Sequence, residues 1–264
     1  MNRDSKELDF LYARIDDMIA DAQGGILRVS DFMSEAEIYR VSSYLRARKV
    51  RYFVYGGYEG AVRCRVYFLP DFIDAEPGCD IPCVLADYGY EDETVCLKIS
   101  GSGFRDLSHR DFMGSVLSLG VERRVVGDIV IYDSHTAYVF LDRTISAFVN
   151  GNLKKVSRDG VKITFEGFGD GWTPEHKYEE IRDTVASLRI DSVVAAATRL
   201  SRENAKKTVE SGLCEINYEI CQKAERELCE GDVFSVRGYG KYKLGSIGSV
   251  NQRGRTRIEI LKYV

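Results

Sequence analysis

Among residues able to do chemistry, the cations of the last eighty or so positions have the most suggestive spacing. Arg202 and Lys206 stand four apart with Lys207 beside them, so a helix there would carry the first two on one ridge, a turn apart. Ser201 can cap the start of that helix and Gly212 can close its end in a left-handed conformation. Cations near the partial positive charge of a helix start suit phosphate. Glu203 and Glu210 share the same helix, so the spacing fits an ordinary solvated face equally well.

The run after it is less ambiguous. From Val233 to Ile258 there is no acidic residue, and Arg237, Lys241, Lys243, Arg253, Arg255 and Arg257 all lie in it. Tyr239 and Tyr242 are interleaved and offer flat faces for unstacked bases. From Arg182 to Val264 there are 15 Lys and Arg against 11 Asp and Glu, while the rest of the chain holds 22 against 30. A basic terminal module on an acidic chain points to a polyanionic partner.

Acid–base and metal chemistry find little support. His109 and Asp111 are two apart on a helix and point in different directions. Asp111 is explained as the capping-box partner of Ser108, which leaves His109 and Arg110 at an exposed helix start as an RNA contact or as part of a cap alone. Seven scattered cysteines and three distant histidines contain no Cys-x-x-Cys pair, so no metal site and no cofactor are expected, and the thiols are expected to be reduced. Gly167–Pro174 resembles a phosphate loop only in its glycines, because no strand-then-helix frame surrounds it.

These residues need elements to hold them. An amphipathic helix is expected over residues 4–22, with Leu8, Leu11, Ile15, Met18 and Ile19 on one face. A second, capped by Ser34 with Glu37 three residues on, runs to about Arg48. Strands are expected at Arg51–Tyr55 and Val62–Leu69, then at Pro82–Ala86 and Thr94–Ile99. A helix capped by Ser108, a hairpin of Asp128–Tyr132 and Thr136–Leu141, a short helix near Thr144–Asn150 and a strand at Val161–Phe165 make a small α+β sandwich. Asp191 can cap a helix carrying Val193, Val194, Ala197 and Leu200, and Leu213–Asn217 and Val233–Arg237 read as strands. No apolar stretch approaches the length of a membrane-spanning helix, and the N-terminus has no signal-peptide core, so a cytoplasmic protein is expected.

The spaced set Leu188-Arg189-Ile190-Asp191, Leu200-Ser201-Arg202, Ala205-Lys206, Gly212, Ile216-Asn217, Gly231-Asp232 and Ser235-Val236-Arg237-Gly238 resembles the S4 RNA-binding domain. That resemblance implies two packed helices joined to a small sheet, with Arg189, Arg202, Lys206 and Arg237 at positions that face phosphate. Upstream, Tyr55-Gly56-Gly57-Tyr58, Phe68-Leu69-Pro70, Ser108-His109-Arg110-Asp111-Phe112, Gly120-Val121-Glu122-Arg123 and Gly127-Asp128-Ile129 are similar to the YlmH family of bacterial S4 proteins. Val62 departs from that family's pattern, where an acidic residue precedes Arg63.

The expectation is then a multi-domain α+β protein. It has a small N-terminal α/β unit at 1–75, a middle RNA-binding sandwich of RRM or ferredoxin-like type at 76–166, a linker at 167–181 and an S4 domain at 182–264. The RNA-binding residues expected are Arg189, Ser201, Arg202, Lys206, Lys207, Asn217, Arg237, Lys241 and Lys243, with His109 and Arg110 upstream. The partners implied are structured RNA, rRNA first and tRNA second, and a ribosomal subunit carrying stalled peptidyl-tRNA, with no DNA specifically implied. The alternatives are an RNA-modifying enzyme with its centre in residues 1–166, and an acidic protein-interaction module that the S4 domain localises. Against the enzyme, Leu141-Asp142-Arg143 lacks the Gly-Arg-Leu-Asp-like context of a pseudouridine synthase. Gly101-Ser102-Gly103-Phe104 likewise lacks the frame of a methyltransferase loop.

Overall fold

The computed structural model describes residues 3–76, 78–165 and 178–263, with side chains from residue 8 onward. The chain divides into two compact units, Met1–Pro174 and Glu175–Val264.

The first unit begins with helix α1 (Arg3–Gln23), strand β1 (Arg28–Val29), helix α2 (Glu35–Ala47) and strands β2 (Phe53–Tyr55) and β3 (Arg65–Phe68). The α2 start has its capping box closed: Ser34 Oγ accepts the Glu37 amide, and Glu37 accepts the Ser34 amide at 2.8 Å. The strands form an antiparallel sheet in the order β1-β3-β2. Val66 and Phe68 pack with Ile15, Val41 and Leu45 of the helices, while Tyr67 packs with Phe53, Ile81 and Leu85 on the other face. Burial on both faces is why Val66–Leu69 is an unbroken apolar run, with the buried Arg65 ahead of it.

Residues Pro82–Ala86, expected as a strand, lie in helix α3 (Ile81–Asp87). Ile81 and Leu85, four apart, turn one face into the core, and Pro82 sits in the first turn, where its missing N–H removes no helix bond. Four apolar residues were too short a window to tell the two periods apart.

Strand β4 (Thr94–Gly101), helix α4 (His109–Leu117), strands β5 (Val126–Ile131) and β6 (Thr136–Asp142), helix α5 (Arg143–Asn152) and strands β7 (Lys155–Val156) and β8 (Asp159–Phe165) follow. The sheet order is β5-β6-β4-β8-β7, all antiparallel. Leu97, Ile99, Val139 and Leu141 face Phe112 and Val116 of α4 and Val149 of α5. Residues 1–75 and 76–165 are joined by polar contacts as well as packing. Arg65, 4% exposed, donates to Ser30 O, Glu93 O and Asp142 Oδ2, each at 2.6 Å. Asp128 accepts from Tyr58 Oη at 2.8 Å and from the amides of Val62 and Arg63.

The second unit holds strand β9 (Tyr178–Val185), helices α6 (Ile190–Thr198) and α7 (Arg202–Glu210), and strands β10 (Cys214–Ile216), β11 (Glu219–Cys221), β12 (Val233–Val236), β13 (Gly240–Val250) and β14 (Thr256–Tyr263). Its sheet runs β11-β10-β12-β13-β14-β9, and α6 and α7 pack on one face through Val193, Val194, Ala205 and Val209. Of the expected linker, 167–177 lie outside the described residues, and 178–181 belong to β9, which pairs along the whole length of β14. No described helix is long and apolar enough to cross a membrane.

Candidate nucleic-acid interface

The corner between α6 and α7 gathers the expected cations around one acid. Arg189 is the residue before α6 and is held by its flanks: Ile190 N donates to Arg226 O at 2.7 Å and Leu228 N to Leu188 O at 2.9 Å. Asp191 lies inside the first turn of α6, 4% exposed, and does not cap it as expected. Its two carboxylate oxygens accept from Arg189 Nη2 at 3.3 Å and Arg202 Nη2 at 3.1 Å. The two arginine side chains stay 37% and 48% exposed. One buried anion thus holds two half-open forks side by side with a positive charge to spare, a geometry suited to a phosphate oxygen.

The ridge of α7 continues outward from Arg202. Ser201 caps the helix by accepting the Asn204 amide at 3.2 Å, so its hydroxyl serves the fold. Lys206 pairs with Glu210 at 3.6 Å and Lys207 with Glu203 at 2.7 Å, both one turn apart and exposed. Pairs of this kind are worth about 0.3–0.5 kcal/mol and exchange easily for a phosphate.

Arg255 joins Arg202, although it was not among the expected site residues. A recess of about 350 Å³ is lined by Thr184, Val185, Ser192, Ala195, Arg202 and Arg255 among others. The β13–β14 hairpin folds along β9, so Arg255 reaches Thr184, whose Oγ1 accepts from Arg255 Nε at 3.1 Å. The acid-free run contained Arg255, but only the strand pairing shows where it goes.

The remaining expected residues lie elsewhere. Tyr242 is buried and stacked on Phe234 at 5.2 Å, so it belongs to the core and offers no face to a base. Strand alternation then sends Lys241 and Lys243 to the sheet face away from the helices. Lys241 sits between Tyr218 at 5.1 Å and Tyr263 at 4.7 Å from the ring centres. Asn217 and Tyr218 both have positive φ and form the two-residue turn between β10 and β11. The Asn217 amide is spent on holding β12: Nδ2 donates to Asp232 at 2.8 Å, and Oδ1 accepts from Val233 N at 3.0 Å. Arg237 is exposed in the turn between β12 and β13.

His109 and Arg110 are exposed on the first turn of α4, in the first unit. Asp111 beside them accepts the Ser108 hydroxyl at 2.6 Å and its amide at 2.9 Å, which holds its carboxyl below the usual range. Asp142 is likewise taken: it accepts from Arg65 and caps α5 through the Thr144 amide at 2.9 Å.

The family model described as "Putative RNA-binding domain in YlmH" matches residues 91–169 of this chain. The "Ribosome-associated protein quality control protein P2" of Bacillus subtilis (strain 168) is 26% identical over 232 residues, 88% of this chain and 86% of its own. The solved "Cell division protein ylmH from Streptococcus pneumoniae" aligns with a TM-score of 0.51 at 17% identity, over 66% of this chain and 97% of its own, a likeness of fold.

Proposed function

We propose, on the premise that this chain belongs with the YlmH proteins, that it is a non-catalytic RNA-binding protein acting on the ribosome. The observation that carries the reading is the clamp of Arg189 and Arg202 on buried Asp191, with Arg255 across the recess. Two packed helices on a small sheet, with cations at the helix corner, support an S4-type domain at 182–264. The name of the Bacillus relative supports ribosomal RNA as the polyanion and the cytoplasm as the compartment.

The middle segment supports a second RNA contact. Its order β4-α4-β5-β6-α5-β8, with central strands β6 and β4 flanked by β5 and β8, is the split βαβ arrangement on which RRM-like domains are built. The acids that enzyme readings would recruit, Asp111 and Asp142, are engaged in helix caps and an ion pair. This favours binding over catalysis.

Sedimentation of the full chain with purified small and large subunits over a salt series tests the reading. Association with the large subunit that falls steeply with salt is expected, since each phosphate neutralised contributes about 0.7–0.9 to the logarithmic slope. Absence of ribosome and RNA binding at low salt would overturn it. A peptidyl-tRNA-bearing subunit retained more tightly than an empty one would support the stalled complex, with tRNA, as the partner.

A further inference from the structure

At one end of the first unit three separate pieces of chain meet: the loop 102–107 after β4, the start of α4, and the turn of the β7–β8 hairpin. Asp159, 5% exposed and the first residue of β8, is the latch. Its Oδ2 accepts the Ser102 amide at 3.0 Å and its Oδ1 the Ser102 hydroxyl, which ties the loop to the hairpin. A Cβ on Gly101 would stand 2.7 Å from that carboxylate, so glycine is what lets the two approach. The loop is fastened again on its other side: Leu107 N donates to Ser134 O at 2.7 Å, and His135 Nδ1 to Arg105 O at 3.0 Å. The hairpin turn, Ser157-Arg158, is seated on α4 by the Ser157 amide, which donates to Ser115 Oγ at 3.0 Å. One helical turn earlier, the Ser157 hydroxyl and the Arg105 charge both help to hold the Asp111 carboxyl low, so loop, helix and hairpin converge there.

This framework presents one bare ring among cations. Phe104 is 91% exposed, and Arg105 follows it in the loop. Arg110 is exposed on the first turn of α4, and Lys154 and Arg158 are exposed on either side of β7. Among the described residues none of these four cations makes an ion pair, whereas each cation on the helix side of the second unit has a carboxylate within reach. The acids close by are engaged: Asp159 with Ser102, Asp111 with the cap of α4, and Asp133 with the His135 amide at 2.7 Å. Asp106 is the exposed acid of the loop.

We infer that this end of the first unit holds the loop of an RNA stem-loop. Phe104 stacks one unpaired base, and Arg105, Arg110, Lys154 and Arg158 meet the phosphates that bend around it. One ring set among cations suits a strand that turns sharply: an extended strand is held by a row of rings, and a duplex hides its base faces. No carboxylate has to be displaced from the four cations before phosphate can bind. Because the loop is tied at both sides, Phe104 is presented without a large ordering cost. The inference rests on the reading of the chain as an RNA-binding protein and names where, and in what form, the first unit meets RNA.

Two labelled RNAs test it by fluorescence anisotropy: a stem closed by a uridine loop, and a blunt duplex with the same stem. Both are titrated against the full chain carrying Arg189→Ala, Asp191→Asn and Arg202→Ala, so that the clamp of the second unit does not hold the RNA. In that chain Phe104→Ala, at a position outside the core, should weaken the stem-loop roughly 5- to 100-fold, the loss of one stacked base, and leave the duplex unchanged. Phe104→Tyr should retain the affinity. Arg105→Ala with Arg158→Ala should make the salt slope for the stem-loop shallower by about 1.4–1.8, two phosphate contacts. With 4-thiouridine in the loop, the photoadduct should map to the peptide carrying Phe104. Unchanged stem-loop affinity in Phe104→Ala, an unchanged slope in the arginine pair, or adducts confined to the second unit would each overturn the site. Equal affinity for stem-loop and duplex, or no binding of either RNA by the chain with the silenced clamp, would overturn it while leaving RNA binding by the wild type intact. Failure of the wild type to bind either RNA would remove the broader reading too.

Discussion

The clamp at the α6–α7 corner makes a prediction in which charge and fold can be told apart. Arg189→Ala with Arg202→Ala removes both cations from Asp191, a carboxylate 4% exposed. An orphaned buried charge costs about 3–5 kcal/mol when its surroundings stay closed, and an unsatisfied buried polar group about 1–3. Both guanidiniums are themselves partly exposed, so their loss lets some water in; the expected destabilisation is about 2–4 kcal/mol. Urea denaturation of the isolated second unit's signal within the full chain should show it as a lowered midpoint with an unchanged slope. Adding Asp191→Asn to the pair removes the stranded charge at nearly constant volume and should recover most of that loss. Ribosome association should stay weak in the triple variant, with a salt slope shallower than wild type by about 1.4–1.8 if each arginine meets a phosphate. A double variant as stable as wild type would refute the clamp as a buried structure. A triple variant that binds like wild type would refute the arginines as phosphate contacts.

Other outcomes follow from the same geometry. Arg65→Ala should destabilise the first unit by about 3–5 kcal/mol in urea titration, because Asp142 and two carbonyls lose a buried partner; Arg65→Lys should recover only part, having no fork to divide among them. The Ser108–Asp111 box lowers the Asp111 carboxyl from its ordinary 3.8. It therefore supplies stability above that value and loses it as pH falls through the lowered one. Asp111→Asn should flatten the acid limb of the stability profile below about pH 4. Burial pushes the Cys64 and Cys214 thiols up to about 12, and Cys83, though exposed, is pushed up by its hydrogen bond to the Asp80 carboxylate, so in native protein at neutral pH the exposed Cys229 should alkylate first and the two buried thiols last, with mass spectrometry reading the order.

Local signals in the sequence were faithful at most helix ends, the expected Asp191 cap of α6 being the exception. Both capping boxes, at Ser34 and Ser108, close as their spacing demands, and Ser201 and Gly212 bound α7 as expected. What escaped was set by strand pairing. The long β13–β14 hairpin is rich in glycine, and its register shifts between Leu244 and Ile247 and again to Val250, so no alternating pattern survives over its length. The charge count caught the basic character of that stretch but not its division between two faces. Alternation buries Tyr242, turns Lys241 outward between two tyrosines, and carries Arg255 back to Thr184 beside the helices. Asn217 shows the same limit: a residue suited to hydrogen-bonding a ligand is equally suited to a tight turn, and only φ of +50° settles which.

The paired cations have a further consequence for how such a surface works. Every arginine and lysine expected on the helix side has a carboxylate within reach: Asp191, Glu203 or Glu210. These pairings differ in kind. Glu203 and Glu210 are exposed enough to yield to phosphate at little cost, so they lower affinity for weak anions more than for a dense polyanion. Asp191 cannot leave, because it is buried in the first turn of α6 beneath its two partners. Its effect is to fix where two forks point before any ligand arrives, which removes about 0.5–1.5 kcal/mol of side-chain ordering from each binding event per arginine. A site built on a buried acid gives up one unit of charge for a defined direction. It should therefore discriminate between folded RNA surfaces by geometry at salt concentrations where unpaired lysines no longer bind.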